Sequence, residues 1–215
     1  AINRTRFNQT AMNGVGRATT LPWPTFSPAY DAALAGGVAF DLEKAKALLA
    51  QAGVSSGFEV PLTFNTQRTA TNGKLVEILQ SDLAQIGVKI QVQSQENTVF
   101  QRTLNEGKFG GLFTHSHGFS NRTPAALFVQ AFPFRAQNAS NFTSPEYTRL
   151  TSAMQTEADE AKLKSLYGEM NKLLLDEAFI MDVATDPGHY VAKANVQGLD
   201  YNLQDWWLLH HASVG

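Results

Sequence analysis

His115 and His117 stand one residue apart in the run Thr114-His115-Ser116-His117-Gly118. On an extended strand that spacing turns both imidazoles to one face, where neutral ring nitrogens can ligate nickel, copper or zinc. No third ligand stands near in sequence, so the plainer reading is a polar cleft wall. Two acidic groups invite a general acid–base reading: Glu157, Asp159 and Glu160, and Asp176 with Glu177. Both fall at helix ends in solvated positions, and the helix dipole favours acidic groups at N-termini. His210 and His211 read as an exposed tail feature. Trp23, between Pro22 and Pro24, offers a stacking surface or a plug, and packing is the simpler role. The chain has no cysteine, which excludes thiol catalysis, disulfides and thiolate metal sites. It also lacks a P-loop, G-x-G-x-x-G and H-E-x-x-H; no residue is assigned a catalytic role and no cofactor is implied.

The composition fits one large domain or one lobe of a bigger protein. In 215 residues, 43% are hydrophobic and 17% charged, enough apolar material for a core. The net charge of −2 and scattered single basic residues argue against a nucleic-acid or membrane-surface partner. No apolar run approaches the roughly 20 residues that span a bilayer. The opening Ala1-Ile2-Asn3-Arg4-Thr5-Arg6 is too polar for a signal peptide.

Elements that would position these groups can be read in order. Residues 14–37 are rich in Gly, Pro, Thr and Ala and read as an ordered loop crossing the surface. Asp41 caps a helix whose Leu42, Ala45, Leu48, Leu49 and Ala52 share one face, and Gly53 ends it. Phe58, Val60, Leu62 and Phe64 alternate with polar residues as a strand, and Pro61 suggests its edge or start. A helix from about Asn72 to Ile86 and a strand over Val88, Ile90 and Val92 complete a βαβ unit, hence a partly parallel sheet. Val99 to Leu104 reads as helix and Phe109 to Thr114 as a short strand. Ser144 with Pro145 starts another helix, and Leu163 to Leu174 carries the next. Phe179 to Val183 is expected as a buried strand, and the tail from Asn195 as irregular, with Trp206 and Trp207 covering the hinge side of the core.

These segments resemble, in order and at matching spacings, the extracellular solute-binding proteins of ABC importers, in the peptide/nickel-binding (dipeptide/oligopeptide-binding) family. Ala1-Ile2-Asn3-Arg4 is similar to the end of the family's "R-x-A-h-x-x-A-I-x-R" helix. Residues 41–53, DLEKAKALLAQAG, resemble "Y-D-P-x-K-A-K-x-L-L-x-E-A-G", followed by the usual "G-F" at Gly57-Phe58. Residues 77–89, EILQSDLAQIGVK, resemble "E-x-I-Q-x-D-L-x-x-I-G-I-K". Gly107-Lys108-Phe109 and the stretch from Asn141 to Leu150 extend the match. Each motif alone is common; their collinearity makes the resemblance specific.

The resemblance implies an α/β lobe of periplasmic-binding-protein type, with a mixed, partly parallel sheet flanked by helices. Residues 1–195 would form the C-terminal ligand-binding lobe and residues 196–215 a tail packing toward the hinge, with the N-terminal lobe absent. The implied function is solute capture for an ABC-type importer by two-lobe closure. The implied partners are a small-molecule solute, the N-terminal lobe and an ABC permease in the inner membrane, with no nucleic acid. The implied place is periplasmic or extracellular, membrane-associated through the transporter. Two segments should face the ligand: the loop with Gln67 and Arg68, and the strand exit with His115, His117, Phe119, Ser120, Asn121 and Arg122. Peptide binders commonly place an Asp in "W-x-x-D-x-x-D-P" at the second segment, to hold a free ammonium. Here Phe119 and Ser120 are the nearest matches, and no carboxylate occurs between Lys108 and Phe142. A sugar-like or opine-like solute is the alternative to a peptide, with Arg68 and Arg122 as anion partners. A nickel or metallophore-binding protein using His115 and His117 is the alternative function.

Overall fold

The computed structural model describes residues 1–67, 70–118, 123–188, 190–202 and 206–215. Its centre is the βαβ unit expected from the hydrophobic alternation. Strand β2 (Phe58–Asn65) runs parallel to β3 (Val88–Gln95), with α4 (Ala70–Ala84) as the crossover, and Phe58 stands opposite Val88. Leu62 of β2 and Val76 and Leu79 of α4 are buried together, with Ile90 of β3 against them. The two strands start where Gly57 and Gly87 approach backbone to backbone, both at positive φ, and a side chain at Gly57 would strike the Gly87 carbonyl.

Pro61 does not mark an edge. Strand β4 (Leu112–Phe113) adds to β2 on the side away from β3, giving the order β3-β2-β4, all parallel. The ladder with β4 begins only at Leu62, one residue past the proline, so no bond is asked of its missing N–H there. Gly111 then passes close over Pro61, where a side chain would clash with the ring and carbonyl.

Helix α1 (Arg4–Ala11) lies on α4, burying Phe7 and Met12 against Ile78. Its start is pinned by Asp82, whose carboxylate accepts from the Asn3 amide at 2.8 Å and faces the Arg6 guanidinium at 2.9 Å. A second, larger core forms among α6 (Pro124–Gln130), α7 (Pro145–Thr156) and α8 (Glu160–Glu177). Ser144 and Asp159 cap α7 and α8 by accepting from Tyr147 N and Lys162 N. Trp23 plugs this core at 1% exposure, so the packing role is the one it has.

Helix α3 (Leu42–Gln51) is capped by Asp41 as expected, yet none of its residues is buried and Leu48 is 54% exposed. The stretch Phe179 to Val183 is not a strand. Phe179 stacks flat on Phe142 at 4.0 Å, and the chain turns there before the short β5 (Ala184–Thr185) pairs antiparallel with β1 (Arg17–Ala18). A large aromatic contact has replaced the ladder the apolar run suggested. The tail is more regular than its composition indicates. Strands β6 (Val196–Gln197) and β9 (Ser213–Val214) pair around β7 (Asp200–Tyr201) and β8 (Trp207–Leu208) as nested antiparallel pairs. Trp206 and Trp207 do not cover the core; they are 67% and 46% exposed, and Trp207 packs on Tyr201 of the tail and on Tyr190 ahead of it.

Candidate functional site

Asn65 closes β2 at the carboxyl edge of the sheet. Its buried side chain accepts from Gln67 N at 2.9 Å and donates to Asn97 Oδ1 at 2.7 Å, fixing the strand exit as an Asx turn. Beside it, Thr114 N donates to Thr63 O at 3.0 Å, extending the β4 ladder by one bond. The chain then leaves the sheet as irregular backbone through His115, Ser116 and His117. The expected strand therefore ends before the histidines, but side chains still alternate, with both rings half-buried and Ser116 exposed.

These residues wall a cavity of about 1580 Å³. Ligands of open α/β sheets sit at this position, outside the carboxyl ends of the strands. Aromatic neighbours set the two imidazoles apart. His115 stacks on Phe100 at 6.3 Å, while His117 meets the edge of Phe134 at 5.4 Å. Among the described residues no three His, Cys, Asp or Glu side chains gather where a metal could be held. With His115 against Phe100 and His117 against Phe134, equilibrium dialysis against nickel should give equal retention for the wild type and His117→Ala; a clear loss in the variant would support the metal reading.

Of the other site residues read from the sequence, Gln67 is exposed and lies outside the cavity lining. Arg68, Phe119, Ser120, Asn121 and Arg122 lie outside the described residues. Sequence reasoning missed other lining of this cavity. Arg17, Thr25 and Phe26 come to it from the Gly/Pro-rich segment, and Asp182 and Asp186 come from either side of β5. Carboxylates therefore do reach this cavity, though not from the stretch between Lys108 and Phe142. Burial raises the Asp182 carboxyl to about 7, against the pull of the Arg4 charge. Arg4 donates its Nε to the Asp182 carbonyl at 2.7 Å.

The segment is held by side chains bonding to backbone, which a composition count does not show. Thr19 Oγ1 donates to Leu21 O at 2.8 Å and Thr20 Oγ1 to Leu34 O at 2.7 Å. Trp23 Nε1 donates to the Asn171 side-chain oxygen of α8 at 2.6 Å, and Asn171 Nδ2 to Ala29 O at 2.9 Å. The wall is thereby fastened to the helical core.

The sequence pattern of the bacterial extracellular solute-binding proteins, family 5 (middle region), matches residues 1–138. This chain belongs to that family. A dipeptide-binding protein of Pseudomonas aeruginosa is 26% identical over 204 residues, covering 92% of this chain and 38% of the relative. The nickel-binding periplasmic protein of Escherichia coli is 25% identical over 75% of this chain and 34% of its own length. Among solved structures, HbpA2 of Haemophilus parasuis superposes with a TM-score of 0.81 at 25% identity, over 100% of this chain and 43% of that one. The PBP AgaA of A. tumefaciens R10, in complex with agropinic acid, gives 0.74 at 25% identity, over 84% of this chain and 38% of that one. This family 5 chain thus spans about two-fifths of the length of the proteins it matches, and it has their periplasmic-binding-protein fold.

Proposed function

We propose that this chain is the C-terminal lobe of the substrate-binding component of an ABC importer. In the periplasmic or extracellular space it captures a small solute against an N-terminal lobe and presents it to an ABC permease in the inner membrane. Residues 1–195 form the lobe proper, and the tail of residues 196–215, with its exposed Trp206, packs toward the hinge. The observation that carries this reading is the cavity walled by β4 and its exit, Thr114 to Gly118, on a chain whose family members are more than twice its length. Ligand contacts made only when two lobes meet shift the population toward the closed form.

The cargo is a solute with hydroxyl or carboxylate groups, sugar-like or opine-like, rather than a free-amine peptide held at the second segment. The absence of a carboxylate between Lys108 and Phe142 supports this, and AgaA, a relative at 25% identity, was solved with agropinic acid. One lobe supplies about half the contacts, so this chain alone should bind any such solute only weakly. Isothermal calorimetry should find no affinity tighter than about 1 μM, which corresponds to roughly 8 kcal/mol. Submicromolar binding by the isolated chain would sink the two-lobe reading.

A further inference from the structure

Arg17 is the only Lys or Arg among the described residues lining the cavity. It sits on β1 opposite Thr185 of β5, and its own carbonyl accepts from Thr185 Oγ1 at 3.4 Å. Arg17 as a residue is half-buried, and its guanidinium is held at two points. Nη2 donates to Trp23 O at 2.7 Å, and the guanidinium carbon lies 5.2 Å from the centroid of the Tyr30 ring. Neither contact neutralises the charge. No ion pair among the described residues includes Arg17, and Asp186, the exposed residue after Thr185, forms none with it. One of its donors is engaged; a guanidinium carries about five in a planar fork that matches an oxyanion.

A partly desolvated cation that is oriented, uncompensated and on a cavity wall is half of an ion pair. We infer that Arg17 is an anion-recognition residue of this cleft, taking a carboxylate or similar oxyanion of the solute. The inference rests on the solute-capture reading and narrows it: the cargo is acidic, and its charged group lies on the β1/β5 side. Fixing by the Trp23 carbonyl and the Tyr30 face lowers the entropy cost of engaging the anion. Trp23 is in turn anchored in the helical core by Asn171, so the cation stands on a rigid mount rather than a loose loop.

The test is a titration of the ¹⁵N-labelled chain, followed by NMR, with two acid/neutral pairs: glucuronate with glucose, and N-acetylalanine with N-acetylalaninamide. The acid members should shift the Arg17 Nε–Hε signal and the amides of Arg17 and Ala18, and the neutral members should not. Arg17→Met should weaken binding of the acids about tenfold or more, equivalent to roughly 1.4 kcal/mol. Arg17→Lys, which keeps the charge and loses the fork, should fall between. An unchanged spectrum elsewhere shows that either variant is folded. Acid and neutral probes titrating alike, or Arg17→Met binding acids as the wild type does, overturns the inference. Shifts at Thr114 to Gly118 from neutral probes would leave the solute-capture reading standing in that case. Acid probes that move Arg17 but never Thr114 to Gly118 would instead support the anion site while counting against the shared cleft. Silence of all four probes at Arg17 and Ala18 overturns the inference.

Discussion

Replacing Asn171 with Leu should lower the stability of the chain by about 2–4 kcal/mol, a loss drawn from the cost of stranding buried polar groups. Asn171 is 1% exposed inside α8, and both ends of its side-chain amide are engaged. The oxygen accepts from Trp23 Nε1 and the nitrogen donates to Ala29 O. Leucine fills the volume but leaves the indole N–H and a backbone carbonyl buried without those partners. Urea denaturation should show a lower midpoint with an unchanged slope. Trp23→Phe removes one donor while keeping an aromatic plug and should cost less. A double-mutant cycle of the two should show coupling, because once the indole N–H is gone leucine strands only the Ala29 carbonyl. A loss below about 1 kcal/mol for Asn171→Leu would mean that the fastening of the cavity wall to α8 is incidental.

That fastening also marks where reading the sequence stops working. Local chemistry was legible: Asp41 and Ser144 accept from the backbone amides that capping predicts, and the alternation in residues 58–65 and 88–95 became neighbouring parallel strands. Each depends on residues a few positions apart. The central place of β2 depends on a two-residue strand with almost no pattern of its own, and Pro61 pointed the other way. The period of α3 shows which face is apolar and nothing about what covers it; Leu48 remains exposed. The cavity is harder still. Its histidine wall was visible as a motif, but Arg17 meets Thr185 across 168 positions and Trp23 meets Asn171 across 148. No spacing rule links such partners. The collinear resemblance reached the family without them and pointed to the segments that family members share, which is why it named Arg68 and Arg122 and passed over Arg17.

Asp182 should make stability fall as pH rises from about 4 to about 7. Its carboxyl titrates near 3.8 when unfolded and is raised to about 7 in the fold, chiefly by burial, with the Arg4 charge pulling the other way. Between those values the folded chain holds a proton that the unfolded chain has released. Raising the pH therefore favours unfolding. Below the unfolded value both states are protonated and the penalty is absent; above about 7 it is complete and the curve is flat. The slope from this group is at most about 1.4 kcal/mol per pH unit, reduced because Asp182 keeps part of its surface on the cavity. Other carboxylates add trends of their own, so the difference between the wild type and Asp182→Asn is the quantity to read. The amide is neutral throughout. Urea midpoints at pH 4, 5.5, 7 and 8 should agree most closely at pH 4, with the variant increasingly more stable toward pH 8. A flat difference would show that the carboxyl is ordinary. A variant that lost ground with rising pH would mean that the Arg4 charge outweighs burial and that Asp182 is held ionised. The same proton sets the charge of the cavity wall, so the sign of this slope also says whether Asp182 presents an acid or a carboxylate to the solute near neutral pH.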